Sequence, residues 1–320
     1  MFSFVIRTKN EAAFLSQTLR AIKNQITMEK IEIVIVDSGS SDTTLEIAEQ
    51  YDCRIIKISP ERFTWGYALN VGIQNAQGEY IGIISGHCVL IAEDFVTKSV
   101  HILKTDDELA AVYGRQVGMR GMDPFEEVDL NYHYPEMDLD VVCGAEKAAI
   151  GVSNACCVLK KSIWDTMKFD ENVQSCEDGL WSEAVLDAGG KIAYSSKIGV
   201  YHSHKMNAEY LYKKDYWREY CPEYNKLHTH TIFYNFLKFM IKKNYSEFKF
   251  YVSGLKKMQI SCQKQYIIYY VLIRNTARMK ASNDLAKHST DEMKYEQIIT
   301  PSFIQWMQNK LKKGRFWLYN

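Results

Sequence analysis

The chain has 320 residues, 47% of them hydrophobic and 24% charged, with 13% aromatics and only 5 prolines. That length holds one large domain or two ordinary ones, and the composition excludes a disordered chain, a collagen-like repeat and a simple coiled coil. Lys+Arg and Asp+Glu both number 39, yet residues 1–209 carry 19 and 31 (net −12) while residues 210–320 carry 20 and 8 (net +12). An acidic part, 1–209, followed by a basic, aromatic-rich part, 210–320, predicts two regions with different partners. The 8 cysteines include no CxxC pair, which fits a reducing cytoplasm better than a disulfide framework or a zinc ribbon. Arg7, Lys9 and Glu11 come too early for a secretory leader. No apolar run approaches the roughly 18 residues of a membrane-spanning helix. The expectation is a soluble cytoplasmic α/β protein.

In chain order, Phe2–Arg7 (FSFVIR) reads as a buried strand, and Ala12, Leu15, Leu19 and Ile22 recur at helical spacing. Ile31–Val36 is a second strand, followed by the polar loop Asp37-Ser38-Gly39-Ser40-Ser41-Asp42 and a helix through Leu45, Ile47 and Ala48. A short strand at Arg54–Ile58 leads through Phe63-Thr64-Trp65-Gly66 into a helix over Tyr67–Ala76, a strand at Glu79–Ser85 and a helix at Phe95–Leu103. Alternation of this kind predicts a mostly parallel sheet covered on both faces, with ligands at the carboxyl ends of its strands. The loops Thr8–Glu11, Asp37–Asp42 and Ser85–Cys88 are therefore the ones to watch. Beyond Tyr210 the pattern becomes helical, with segments at 231–243, 245–258 and 262–281.

The loop after the first strand, RTKNEA, lacks GxGxxG, and no GxxxxGK[ST] exists, which argues against a dinucleotide site and a P-loop. The Asp37–Asp42 loop reads either as a turn with Asp42 or Ser41 capping the next helix, or as a site where Asp37, at the strand end, accepts hydrogen bonds from a nucleotide base or ribose. Glu177-Asp178 opens a helical pattern; its acids complement a helix N-terminus, and an adjacent pair with separated proton affinities also suits a general base. His202 and His204 alternate along a strand end, either as a polar edge or as metal or phosphate contacts. Cys156-Cys157 reads as core.

Taken in order, FSFVIRTKNEAAFL, IEIVIVDSGSSDTT, FTWGYALNVGIQNAQGEYIGIIS, AAVYGRQ, VSNACCVLKKSIWD, FDENVQSCEDGLW and VYHSHK resemble the family 2 glycosyltransferases, and within them bacterial rhamnosyltransferase-type enzymes of O-antigen and capsule assembly. The resemblance runs from Phe2 to about Tyr220. It implies a GT-A fold, α/β and Rossmann-like, with a mostly parallel sheet flanked by helices and a helical C-terminal extension. It also implies an inverting transfer from a nucleotide-diphosphate sugar (dTDP-rhamnose or a UDP-sugar) to a surface polysaccharide or polyprenyl-linked oligosaccharide. Thr8, Asn10 and Glu11 would line the nucleotide pocket and Asp37 would read the base. Asp178 would be the catalytic base, and Glu177 would orient it or hold the acceptor. Trp181 would pack beneath the acceptor, and Arg115 and Gln116 would contact donor or acceptor sugar.

One departure bears on the cofactor. The family's metal-binding DxD aligns with Ser85-Gly86-His87. Either a divalent ion (Mn or Mg in the family) is held through His87 with His202 or His204, or the transfer is metal-free and histidines with Lys205 neutralise the diphosphate. A scaffold that binds sugar nucleotide or glycan without catalysis is the competing class. The basic 210–320 region reads either as a solvated bundle or as a surface for anionic lipid at the inner face of the membrane, through pairs such as Lys213-Lys214, Lys242-Lys243, Lys256-Lys257 and Lys312-Lys313. Nucleic acid is not expected as a partner, since no binding motif is present and the front region is acidic.

Overall fold

The run FSFVIRT has apolar side chains on both faces of a pleat, so it must be covered on both sides. In the computed structural model the strand β1 (Phe2–Thr8) is buried along all 7 residues. The structure describes residues 1–137, 140–144, 152–173, 175–204, 207–220, 236–258 and 264–287. These fall into two units: Met1–Met119 with Leu130–Ser203, and Arg120–Asp129 with the described part of His204–Asn320.

In the first unit β1 pairs in parallel with β2 (Ile31–Asp37) on one side and β4 (Tyr80–Ser85) on the other, and β3 (Arg54–Lys57) extends the β2 edge. The strand order is β3-β2-β1-β4-β8-β6-β9-β5, with β7 (Val141–Cys143) on β9. β6 (Leu109–Val117) runs parallel to β9 (Lys191–Tyr201), whereas β8 (Cys156–Lys160) lies antiparallel between β4 and β6, and β5 (Val89–Leu90) and β7 are antiparallel to β9. Short helices α1 (Leu15–Lys23), α2 (Thr44–Gln50), α3 (Trp65–Gln74) and α4 (Phe95–Leu103) fill the crossovers. The apolar stripe of α1, Leu15, Leu19 and Ile22, is fully buried with Phe4, Ile6 and Ile35 in one core cluster. Cys156 and Cys157 are wholly buried core residues, as expected.

Register decides where chemistry is placed. Thr8 pairs with Asp37 and Arg7 with Ser85, so the ends of β1, β2 and β4 stop together. Their loops share one sheet edge, the place where open α/β sheets present ligands. The helix α7 (Glu177–Asp187) follows α5 (Pro124–His133), β7, β8 and α6 (Lys161–Thr166).

The second unit holds α8 (Ala208–Tyr220), α9 (Phe236–Lys257) and α10 (Lys264–Lys287). Where the sequence predicts two helices broken near 244, a single α9 runs through, since nothing between 236 and 257 breaks a helix. Phe125 and Val128 pack with Tyr212, Tyr251, Leu255 and Tyr270 in its core. A buried ionic network ties it together: Arg274 donates to Asp215 from Nε at 2.8 Å and to Asp129 from Nη1 at 2.9 Å, and Arg278 pairs with Asp215 at 3.2 Å and with Glu247. Burial pushes the Asp215 carboxyl up, and the Arg274 and Arg278 charges outweigh it, leaving it at about 2. Its contribution is therefore full above its ordinary value and lost as pH falls through about 2. Asp215→Ala leaves two guanidiniums short of a partner and should cost about 3–5 kcal/mol. Urea unfolding followed by far-ultraviolet circular dichroism measures this.

Candidate active site

Polar loops at the ends of β1 and β2 are sewn to each other. Asp37, 1% exposed, accepts from Thr8 Oγ1 at 2.9 Å, from the backbone N–H of Gly39 and Ser40 at 3.0 and 2.9 Å, and from the Ser40 hydroxyl. Asn10, at φ +58°, accepts from the Ser41 N–H at 2.8 Å, and the Glu11 N–H donates to Thr44 Oγ1 at 2.8 Å. Asp37 is thus the organiser of its own loop, with both oxygens engaged, as a turn requires; the cap of α2, however, is Thr43 and not Ser41 or Asp42. The loop as a whole presents backbone groups at the sheet edge.

The third loop is pressed against the first. A Cβ on Gly86 would lie 2.9 Å from Glu11 Cγ and 3.2 Å from Thr8 Cγ2, so only glycine permits this approach. Ser85 closes the turn by accepting the Cys88 N–H at 3.0 Å. His87 then projects beside His202. Nδ1 of His87 meets Glu11 Oε1 at 2.9 Å, Nδ1 of His202 meets Gln116 Oε1 at 2.6 Å, and the two Nε2 atoms are 3.2 Å apart. Carboxylate and amide oxygens accept, so each Nδ1 carries hydrogen and each Nε2 turns a lone pair toward the other. Two such lone pairs call for a positive centre between them, a proton or a metal ion.

A divalent ion fits this donor set. Metal–imidazole bonds of about 2.0–2.1 Å at a tetrahedral angle place two nitrogens about 3.3 Å apart, and a second hydrogen-bonded shell on Nδ1 is usual for ligating histidines. Cys88 Sγ joins His87 and His202 within 4.8 Å. Burial pushes that thiol up to about 12, so it is a weak donor beside the imidazoles.

The acid pair sits at the first turn of α7. Cys176 at φ +64° turns the chain sharply and aims both acids. Glu177 is 6% exposed, whereas Asp178 is half-buried. Glu177 Oε1 accepts from Arg7 Nη1 at 3.2 Å and from Asn154 Nδ2 at 3.3 Å, while Asp178 Oδ2 accepts the Asn154 backbone N–H at 3.1 Å. Arg7 stacks on the Trp65 ring at 4.5 Å. A sequence signal for Arg7 existed: a charge inside an apolar strand must have a partner.

Other expected site residues go elsewhere. Trp181 is 2% exposed, donates from Nε1 to the Met167 carbonyl at 2.7 Å and packs on Phe169, so its indole belongs to the core. Gln116 is 2% exposed and holds His202. Arg115, its neighbour in β6, pairs with Glu136 at 3.0 Å and lines a groove with Lys197 and Tyr201. β9 ends at Tyr201, so the strand alternation expected for His202 and His204 does not extend to them. His204 belongs to the second unit, with Nδ1 2.9 Å from Glu126 Oε1. Lys205 lies outside the described residues.

Residues 3–163 match the glycosyl transferase family 2 profile, half of the chain. The chain belongs to this family. Among curated relatives of this family 2 protein, the O-antigen chain rhamnosyltransferases WbaN of Salmonella anatum and RfbN of Salmonella typhimurium are 26% and 25% identical over 209 residues. Those matches cover 63% of this chain and 66% of each relative, just under two thirds of their length. Among solved structures, the Pyrobaculum calidifontis mannosyltransferase in complex with GDP-Man and Mn2+ aligns with a TM-score of 0.54 at 16% identity, covering 100% of this chain and 81% of that one. TarS 1–349 of S. aureus in complex with UDP-GlcNAc aligns with a TM-score of 0.52 at 14% identity, covering 89% and 91%. At such identities the likeness is one of fold, and that fold is GT-A.

Within this family 2 site Glu177 is the group under electrostatic load. Burial and the neighbouring Asp178 charge push its carboxyl up, Arg7 pulls it down, and it rests at about 7. A raised carboxyl holds its proton longer in the folded state, so stability falls as pH climbs from its ordinary value, near 4.5, to about 7. Glu177→Gln should remove that slope. Between pH 4.5 and 8 the variant should lose on the order of 3 kcal/mol less than wild type. Denaturant midpoints at the two pH values check this irrespective of the variant's absolute stability.

Proposed function

We propose that this protein is an inverting glycosyltransferase that moves one sugar from a nucleoside-diphosphate donor, dTDP-rhamnose or a UDP-sugar, to a surface-polysaccharide or lipid-linked oligosaccharide acceptor. The observation that carries this is the division of labour at the start of α7: Glu177 is buried and paired with Arg7, while Asp178 beside it remains accessible. An accessible carboxylate braced by a buried one is what a base needs to take a proton from an acceptor hydroxyl. Similarity to the two Salmonella rhamnosyltransferases supports the donor and acceptor class.

In this mechanism Asp178 removes the proton as the acceptor oxygen attacks the anomeric carbon from the face opposite the leaving diphosphate. Asn154 holds Asp178 through its backbone N–H. The clasped loops at Thr8–Glu11 and Asp37–Asp42 form the nucleotide wall, with Asp37 shaping it from behind. His87 and His202 would hold a divalent ion, which when bound supplies positive charge at the diphosphate. Glu11 and Gln116 fix the imidazole tautomers that make this binding available. Electrostatic neutralisation of the departing group and placement of the attacking one are the main contributions asked of the protein. Of the lysine pairs in the basic region, Lys256 and Lys257 are exposed on α9 and offer contact to an anionic lipid surface. No helix among the described residues is long and apolar enough to cross a membrane.

Calorimetric titration with UDP, dTDP, GDP and CMP, each with Mn2+ and each with EDTA, should show metal-dependent binding of one nucleotide. Asp178→Asn should keep that binding while turnover falls by about 10²–10⁴-fold; an unaffected variant would point to a binder instead. His87→Ala should lose the difference between the Mn2+ and EDTA titrations.

A further inference from the structure

We propose that Arg7 is the positioning residue of the acid pair: its guanidinium, held against Trp65, grips the Glu177 carboxylate and through Glu177 and Asn154 fixes the orientation of Asp178. The inference rests on the transferase reading above and assigns a role to a residue outside its catalytic set. Arg7 is 8% exposed in its side chain and Glu177 7%, with 3.2 Å between Nη1 and Oε1. An ion pair this dry is not an ornament of the surface. Each partner would carry an uncompensated buried charge without the other.

The geometry gives Arg7 three fixed sides. Backbone pairing to Val36 and Ser85 holds its Cα at the end of the sheet. Trp65 lies across the guanidinium at 4.5 Å, itself 40% exposed, so it roofs the pair. Gly66, the next residue, packs so tightly that a Cβ there would come within 2.1 Å of the Asp170 carbonyl, which anchors Trp65 to the stretch leading into α7. The third side is Glu177. From there Asn154 bridges to Asp178, its Nδ2 on Glu177 and its N–H on Asp178. Two buried polar atoms beside the pair, Arg7 Nε and Asn154 Oδ1, have no hydrogen-bond partner among the described residues, as befits groups placed for a fixed geometry at a site that receives a hydroxylated substrate.

Charge matters as much as placement. The charged groups acting on Glu177 are Arg7 from β1 and Asp178 on its own helix, while the segment before β8 presents the neutral Asn154. Two carboxylates at adjacent positions repel, and Arg7 is the opposing charge that offsets part of the push from burial and Asp178, so that Glu177 is still partly ionised at neutral pH. Without it Glu177 is protonated through the neutral range, and its hold on Asn154 becomes that of a neutral acceptor only.

The test compares Arg7→Met and Arg7→Lys with wild type in two measurements. The first follows Glu177 by carboxyl 13C NMR of protein labelled at glutamate, the signal assigned by its loss in Glu177→Gln. Arg7→Met should move the Glu177 titration up by at least about one unit, and Arg7→Lys, which keeps the charge, should restore most of it. The second is turnover against pH, with the nucleotide sugar that supports transfer. Arg7→Met should lower kcat by about tenfold or more with KM for the donor within about threefold, and should move the acid limb of the profile upward with the NMR titration. An unmoved Glu177 titration in Arg7→Met overturns the proposal. So does an equal loss in Arg7→Lys and Arg7→Met with no shift of the acid limb, which is the signature of packing alone. Should Arg7→Met fail to fold, Trp65→Leu replaces it: an upward, smaller shift of Glu177 supports the proposal and an unmoved one overturns it. The NMR measurement needs no turnover, so absence of transfer from every donor would sink the transferase reading while still deciding the role of Arg7.

Discussion

A guanidinium at the end of a strand that is covered on both faces has no bulk water to turn to, and everything around it must answer that charge. The Arg7 side chain gets its answer from Glu177, which arrives from a helix 170 residues away in sequence. Its neighbour Thr8 points the other way and fastens Asp37. Two consecutive residues of the central strand therefore fix the acid pair on one side and the clasped polar loops after β1 and β2 on the other. The parallel register that stops β1, β2 and β4 together makes this economy of means available.

The histidine pair obeys related logic with a different charge. One imidazole, His87, stands where the resembling family has a carboxylate, and the outer nitrogens of His87 and His202 are committed to Glu11 and Gln116. Neutral ligands leave a bound dication its full charge to direct at a diphosphate, whereas carboxylates would offset part of it. They also shift metal preference from the hard ions toward the borderline ones. Around a bound ion, Glu11 would act one shell further out, on the imidazole and not on the ion itself.

Much of this was legible from the chain itself. Strand ends, polar loops and the Glu-Asp pair could be read because apolar periodicity and loop composition are local properties, and His87 and His202 could be read as partners because their motifs follow strands. Other features depend on tertiary contacts. Asp37 and Gln116 have the chemistry of ligand contacts, yet both Asp37 oxygens are used on the protein's own loop and the Gln116 carbonyl on His202. Trp181 resembles a sugar platform in sequence, but its indole N–H is claimed by Met167 and the ring by the core. Alternation would put His204 on the same face as His202, but alternation holds only inside a strand, and the strand stops at Tyr201. The antiparallel β8 between two strands of the opposite sense leaves no local mark at all, since a buried strand reads the same in either direction.

The segment Arg120–Asp129 lies between two stretches of the first unit yet belongs to the second. It brings Phe125 and Val128 to that unit's core, and Asp129 to Arg274 and Tyr251. The two units are consequently interleaved in sequence and do not come apart by a single cut. A chain ending at Ser203 would strand a pair of apolar side chains and an acid in solvent, and one beginning at His204 would leave Arg274 without Asp129. Inheritance or recombination that swaps the C-terminal region for another must therefore also accommodate ten residues embedded in the sequence of the first unit, which makes exchange of the second unit between relatives a two-site event.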